Sequence, residues 1–273
     1  MIEDTMNEHP LHTHIAGPEQ GRIALLLHSS GFSSRQWRPY LPALHGAGWQ
    51  TMTVDLFGYG DSPAWTGQGA FHFRHDVDAV LDLLRGLSGE LAVVGHSYGG
   101  LVGLQALIRP TCPPARAVVY EPVVWGILAS DGTDEERAEL GRLEASGFFD
   151  DATGGSREWM EQFVTFWNGA GAWDALGERG QAQMMCSGRK TFEEVRSLCR
   201  DTTPAKAYAA LREPVHVISG HMSPPAIRHA CALLANAAAH HTIDMISAGH
   251  MGPVTHTEQV IEHVVGRLGR AQG

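Results

Sequence analysis

Val93-Val94-Gly95-His96-Ser97-Tyr98-Gly99-Gly100 is the stretch from which the rest of the chain is read. Residues 91–94 are apolar and of strand length, and the apolar run 100–108, stopped by Pro110, reads as a helix. Between them stands Gly-x-Ser-x-Gly. A serine held in a tight strand-to-helix turn needs small residues two before and two after it, because backbone segments crowd there. Gly95 and Gly99 meet that need. This context separates the stretch from a glycine turn with a bystander serine and makes Ser97 a candidate nucleophile.

A second apolar run, 22–27, ends in His28-Ser29-Ser30-Gly31 and reads as a buried strand entering a loop. Acyl transfer needs backbone N–H donors aimed at the developing oxyanion; one comes from such a loop and the other from the residue after the nucleophile. Those positions are Ser30 and Tyr98. His28 precedes the turn, so it is expected to brace the loop rather than act as a base. Of the sixteen histidines, His250 best fits a base. Residues 242–246 read as a strand and Ser247-Ala248-Gly249 as a turn. Thr255-x-x-Glu258 reads as a capping box before Val260, Ile261, Val264, Val265 and Leu268 at helical spacing. His250 then sits on a loop at a strand's carboxyl end, within reach of Ser97.

With these placements the chain resembles the α/β-hydrolase family, in which the serine precedes the histidine. Asp55-Leu56-Phe57-Gly58-Tyr59-Gly60-Asp61-Ser62 is similar to the family's D-x-x-G-x-G-x-S segment, and the resemblance covers nearly all of the chain outside 123–205. It implies an α/β fold: a doubly wound, mostly parallel sheet of about eight strands with helices on both faces and the active residues at the carboxyl edge. Asp55, Asp61 and Ser62 are then expected to be structural.

The chain departs from that pattern at the acid. The family's usual aspartate follows the strand read here at 215–218, yet the loop after it is Ser219-Gly220-His221-Met222-Ser223-Pro224-Pro225, and no Asp or Glu occurs from 214 to 243. Ser223 stands about where the acid belongs, and a hydroxyl cannot balance an imidazolium. Glu121 ends the strand after the nucleophile helix, and some family members, including certain haloalkane dehalogenases, are similar in carrying their acid there. The expected catalytic set is Ser97, His250 and Glu121, with Asp244 and Asp201 as rival acids.

Residues 123–205 change to helical patterns separated by glycine and are expected to form a helical cap on a core of 1–122 and 206–273. The aromatic stripe Trp159, Phe163, Phe166 and Trp167 is expected mainly to pack against the core, with a minority facing the cleft. Phe32, Trp125, Met222 and Met251, next to the catalytic loops in sequence, are the expected substrate-pocket residues. They point to a mostly apolar acyl or alcohol group.

Length and 43% apolar content suffice for one large domain with an insertion. A net charge of −10 argues against a nucleic-acid partner. No run reaches membrane-spanning length, and the acidic start Met1-Ile2-Glu3-Asp4 is unlike a secretory signal. Four cysteines, at 112, 186, 199 and 231, show no paired spacing, so a reducing cytoplasmic setting is expected. His9-x-x-His12-x-His14 and His240-His241 lack a carboxylate or cysteine at ligand spacing, and no metal or cofactor is expected. A small-molecule substrate is the expected partner, and a homodimer stays open.

The expected reaction is ester hydrolysis through an acyl-enzyme. Thioesterases, carbon–carbon bond hydrolases, perhydrolases and hydroxynitrile lyases share such a site, as could a catalytically silent receptor. Haloalkane dehalogenases and epoxide hydrolases need a carboxylate nucleophile, against which Ser97 argues.

Overall fold

A computed structural model describes residues 10–19, 21–237 and 240–269; His9 and the acidic N-terminal stretch lie outside them. The strands β1 (Thr13–Ala16), β2 (Arg22–Leu27), β3 (Gln50–Val54), β4 (Glu90–His96), β5 (Arg116–Tyr120), β6 (Val215–Gly220) and β7 (His241–Ile246) form one sheet in the order β1-β3-β2-β4-β5-β6-β7. Only β1 runs antiparallel, against β3; the other five neighbouring pairs are parallel. Seven described strands stand where about eight were expected. Just before β1 the chain is held to the Asp55 loop: the His12 amide donates to Ser62 Oγ, and the Asp55 amide to the His12 carbonyl.

The central strands read as continuous apolar runs because both faces are covered. Leu25, Leu27, Val93, Ala117 and Val119 point to one face, where they pack with Val77, Leu101 and Ile227 from α2 (Phe73–Arg85), α3 (Tyr98–Leu107) and α10 (Pro225–Ala237). The alternate residues Ala24, Leu26, Ala92, Val94, Val118 and Tyr120 face Leu44 and Val260 from α1 (Leu41–Gly46) and α12 (Thr257–Leu268). Burial of this two-sided core supplies the main folding force, about 25 cal/mol for each Å² of apolar surface removed from water.

Between β5 and β6 the chain is helical: α4 (Trp125–Asp131), α5 (Asp134–Ala145), α6 (Arg157–Asn168), α7 (Ala172–Ala175), α8 (Gly177–Cys186) and α9 (Gly188–Cys199). Helix α5 starts with a reciprocal capping box, Thr133 with Glu136. The aromatic stripe of α6 does not chiefly pack against the sheet's core. Trp159, Met160 and Val164 join Phe149, Trp173, Met184 and Phe192 in a separate cluster within this insertion. Helix α4, by contrast, packs into the larger sheet-side core through Trp125, Ile127 and Leu128.

The Thr255–Glu258 capping box does not form. A short helix, α11 (Gly252–Thr255), precedes α12, and the N-cap residue of α12 is His256, with no side-chain cap. The Thr255 hydroxyl donates instead to the Met251 carbonyl one turn back.

Candidate active site

The chain leaves β4 at His96 and enters α3 at Tyr98, leaving one residue for the reversal. Ser97 takes it up with φ 53° and ψ −114°. Steric clash makes such a conformation costly for any residue with a Cβ, so surrounding structure must enforce it. The neighbours show how. A Cβ on Gly99 would lie 2.2 Å from the Leu27 carbonyl oxygen, and one on Gly95 would lie 2.6 Å from Gly100 Cα. Two glycines therefore let β2, β4 and α3 close on the serine. Ser97 is buried, and its amide donates to the Tyr120 carbonyl at 2.9 Å.

Among the described residues, one other non-glycine has positive φ: Glu121, at 40°. Its amide donates to the Ile218 carbonyl at 2.9 Å, and its side chain is fully buried. Oε1 accepts from Ser219 Oγ (2.9 Å) and the Gly220 amide (2.8 Å); Oε2 accepts from Ser223 Oγ at 2.9 Å. The fourth donor is His250 Nδ1, at 2.8 Å from Oε2. Burial by itself would raise this carboxyl, but the hydrogen bonds and attraction from His250, with those from Gly220 and Ser223, hold it below the usual carboxylate value.

A carboxylate can only accept, so the His250 proton sits on Nδ1 and Nε2 is left to accept from Ser97 Oγ at 2.9 Å. The structure thus brings Ser97, His250 and Glu121 into one line of hydrogen bonds. It keeps both rival acids away from it. Asp244 is bound by Arg267 Nε at 2.8 Å and by His263 at 3.2 Å, and Asp201 accepts from Thr203 Oγ1 at 2.9 Å. Ser223, at the place first read for the acid, instead holds the acid that comes from β5.

The His250 loop and the Ser30 loop are joined by a partly buried relay that the sequence did not announce. The Ser29 amide donates to Gln36 Oε1 (3.1 Å), Gln36 Nε2 to His96 Nδ1 (3.1 Å), and His96 Nε2 to the His250 carbonyl (2.9 Å). Burial holds His96 well below the usual histidine value, and the neighbouring His250 adds to this, so the ring is neutral with its proton on Nε2. His28 is likewise neutral, pushed by burial to about 4. Its Nδ1 donates to the Ser29 carbonyl and its Nε2 accepts the Leu56 amide, the bracing position expected of it.

Behind Tyr98 lies a second buried group. The Tyr98 hydroxyl donates to Asp76 Oδ2 at 2.6 Å, and Lys190 bridges Asp76 (3.1 Å) and Glu194 (2.6 Å). The Tyr59 hydroxyl donates to Glu194 Oε1 at 2.8 Å. This ties α9 to the elbow; its faint trace in the sequence is the i, i+4 spacing of Lys190 and Glu194. Burial, outweighing the pull of Lys190, keeps the Glu194 carboxyl above its usual range.

Ser97 opens on a cavity of about 310 Å³ whose wall is mostly apolar. Trp125, Leu140, Phe163, Phe166, Trp167 and Leu198 line it, and Glu136, Glu139 and Gln162 are its polar residues away from Ser30 and Ser97. Of the four expected pocket residues, Trp125 is on the wall, whereas Phe32, Met222 and Met251 are not among the lining residues. Met222 is 67% exposed in the turn after β6. Closeness to a catalytic loop in sequence did not carry over, because the insertion's helices build most of the wall. The Ser30 and Tyr98 amides have no protein acceptor among the described hydrogen bonds, and Tyr98 is the first residue of α3. The indole of Trp167 lies flat on His250, with ring centroids 3.8 Å apart and planes 19° from parallel.

Away from this site, His12, Asp55 and Asp61 bring candidate ligand atoms within 4.8 Å of one another, a carboxylate neighbourhood that the histidine spacing had not suggested. Both Asp55 oxygens already accept backbone amides, from Ser34 and Asp61, which supports the structural role expected of Asp55.

A family model described as the alpha/beta hydrolase family matches residues 24–263, well over half of the chain. The chain belongs to the alpha/beta hydrolase family. Within it, the chain is 39% identical over 140 residues to the RutD protein of Variovorax paradoxus (strain S110), whose name proposes a carbamate hydrolase. It is 28% identical over 154 residues to epoxide hydrolase B of Mycobacterium tuberculosis. These matches take in 50% and 55% of this chain and 51% and 42% of those proteins, so it spans about half the length of the curated relatives. In fold it is similar to the crystal structure of the enol-lactonase from Burkholderia xenovorans LB400, with a TM-score of 0.68 at 20% identity, over 94% of this chain and 96% of that one. No helix among the described residues is long and apolar enough to cross a membrane.

Proposed function

We propose that this chain is a serine hydrolase that cleaves a carboxylic ester, or a related acyl bond, of a mostly apolar small molecule through an acyl-enzyme. The observation that carries this reading is the unbroken line from Ser97 Oγ through His250 to Glu121, with steps of 2.9 and 2.8 Å, at the wall of the apolar cavity.

Substrate binds with its apolar group against Trp125, Phe163 and Leu140 and its carbonyl carbon at Ser97. His250 Nε2 takes the hydroxyl proton as Ser97 Oγ attacks. The negative charge that develops on the carbonyl oxygen is met by the amides of Ser30 and Tyr98. The latter lies at a helix N-terminus, where the dipole adds to the effect. His250 returns the proton to the leaving alcohol, and the acyl group remains on Ser97. Water, deprotonated by the same imidazole, then attacks the acyl carbon, and the imidazolium returns that proton to Ser97 Oγ as the acid is released. Glu121 keeps the proton on Nδ1 throughout and balances the imidazolium charge. Helices α5–α9 act as a cap over the strand ends, excluding water from the acyl-enzyme.

The two relatives named above bear on the bond cleaved. A carbamate offers the same carbonyl to Ser97, so carbamates belong in the substrate panel. Epoxide opening through a covalent intermediate calls for a carboxylate at the elbow, where this chain has Ser97. The test is hydrolysis of p-nitrophenyl esters and carbamates of increasing chain length, with labelling by a fluorophosphonate probe. Turnover and labelling should both vanish in Ser97→Ala. A wild-type protein that neither labels nor turns over any member of the panel would sink the proposal.

A further inference from the structure

We infer that Trp167 is a positioning residue for His250: its indole face holds the plane of the imidazole and favours the positively charged ring, so that the insertion sets the strength of the base. This rests on His250 being the base of the proposed reaction.

The geometry is specific. The rings lie 3.8 Å apart and 19° from parallel, whereas the other aromatic neighbour of His250, His96, lies at 5.3 Å and 48°. Trp125 of α4 stands nearly parallel to Trp167, 18° apart at 6.1 Å, and Phe166 meets Trp167 edge-on at 4.8 Å. Trp167 is therefore oriented from its own helix and from α4, not by His250 alone. It is the last residue but one of α6, which is capped by Gly169 (φ 86°) and followed by Gly171 (φ 80°). Trp167 thus stands in the last turn of α6, with its indole face against the catalytic loop.

The titratable groups that face His250 are few. Glu121, after β5, is hydrogen-bonded to Nδ1. His96, on β4, donates to the His250 carbonyl and is held neutral by burial. The Tyr120 hydroxyl, on β5, donates to the Gly249 carbonyl. From the β6–α10 loop Ser223 reaches the same Glu121 oxygen as His250, and α6 contributes the Trp167 indole. Glu121 is thus the charged side chain hydrogen-bonded to His250 among the described residues, and the indole covers the face of the ring.

The face of an indole carries negative electrostatic potential and attracts a cation placed over it, more strongly when water is excluded. A neutral imidazole gains little from this. In the proposed reaction the ring gains a proton as Ser97 attacks, so the interaction strengthens as the reaction proceeds and accelerates the step rather than merely binding substrate.

The test compares wild type with Trp167→Phe and Trp167→Leu. Leucine keeps the face of the ring covered by apolar surface but removes the π-system, which separates this effect from simple access of water. NMR titration of the His250 ring, assigned with His250→Gln, should show a midpoint lower by about half a pH unit in the leucine variant and intermediate in the phenylalanine variant. The acidic limb of kcat/KM should move with it, and kcat should fall about threefold in Trp167→Leu, with part of the loss recovered in Trp167→Phe. An unmoved or raised titration midpoint in Trp167→Leu would overturn the inference, even if activity fell. The titration needs no substrate, so absence of ester turnover would count against the proposed function and leave this result standing on its own.

Discussion

Replacing Glu121 by glutamine tests the proposed catalytic chemistry at its least expected member. The two side chains have the same shape, and an amide oxygen in the place of Oε1 still accepts from Ser219 and Gly220, so the β5–β6 contact survives. The change falls on the other atom. An amide NH₂ in the place of Oε2 confronts His250 Nδ1 at 2.8 Å, and two donors cannot face each other. The imidazole responds by moving its proton to Nε2, where it points at Ser97 Oγ and removes the acceptor that attack requires. Ser223 can turn its hydroxyl to accept, so the fold loses little. A wrong tautomer in a serine–histidine–acid site costs roughly 10⁴-fold in kcat, about 5 kcal/mol of transition-state stabilisation. Glu121→Gln should therefore hydrolyse a good chromogenic ester roughly 10³- to 10⁴-fold more slowly, with denaturant unfolding close to wild type. Asp244→Asn, which breaks only contacts to Arg267 and His263, should stay within about threefold of wild-type activity. Retention of more than a tenth of the activity by folded Glu121→Gln would refute the tautomer argument, and collapse in Asp244→Asn would point to the other acid.

Three further outcomes are expected. Because Ser223 Oγ lies 2.9 Å from Glu121 Oε2, an aspartate there reaches the region of His250 Nδ1; Glu121→Ser with Ser223→Asp should recover at least about tenfold over Glu121→Gln, and an equally dead double variant would count against the placement. His28 is held at about 4 by burial against an ordinary value of 6.5. Between those values the unfolded chain binds a proton that the folded chain does not, so this group's stabilisation is full above pH 6.5 and is lost as pH falls toward 4, by up to about 3 kcal/mol. Denaturant unfolding across that window should show a shallower slope in His28→Gln, with His96 leaving a residual slope of the same sign. Finally, the cavity wall includes Glu136 and Glu139 and no Lys or Arg. An ester with an anionic acyl group should thus have kcat/KM about tenfold below a neutral one of equal length, and Glu139→Gln should narrow that gap; equal rates on both esters would contradict the charge argument.

The features legible in the sequence are those that local chemistry enforces. Gly95, Ser97 and Gly99 had to stand together because a strand-to-helix reversal cannot be made otherwise, and with no carboxylate after β6 the place of Glu121 at the end of β5, beside the elbow, and the family resemblance favoured it over Asp244 and Asp201. What stayed hidden was set by tertiary packing. Ser219, Gly220 and Ser223 hold Glu121 across about 100 positions of chain, and Gln36 and His96 are joined across 60. Phe32, Met222 and Met251 sit near the right loops in sequence, yet side chains from α5, α6 and α9 take the wall. The lost capping box before α12 shows the same limit from another direction: Thr255 ended its own short helix rather than starting the next.

An acid at the end of β5 also has a meaning for recombination. The insertion begins one residue past Pro122, so the acid and the helices above the site descend through adjacent codons, while Ser223 lies beyond the insertion's far end. Suppose this chain exchanges segments with a relative that carries its acid after β6, at any crossover between Glu121 and Ser223. A hybrid with this chain's N-terminal part receives two acids; the reciprocal hybrid receives none. By a single crossover, an insertion can pass without doubling or losing the acid only between relatives that share the β5 acid; any other donor must be joined at both ends of the insertion.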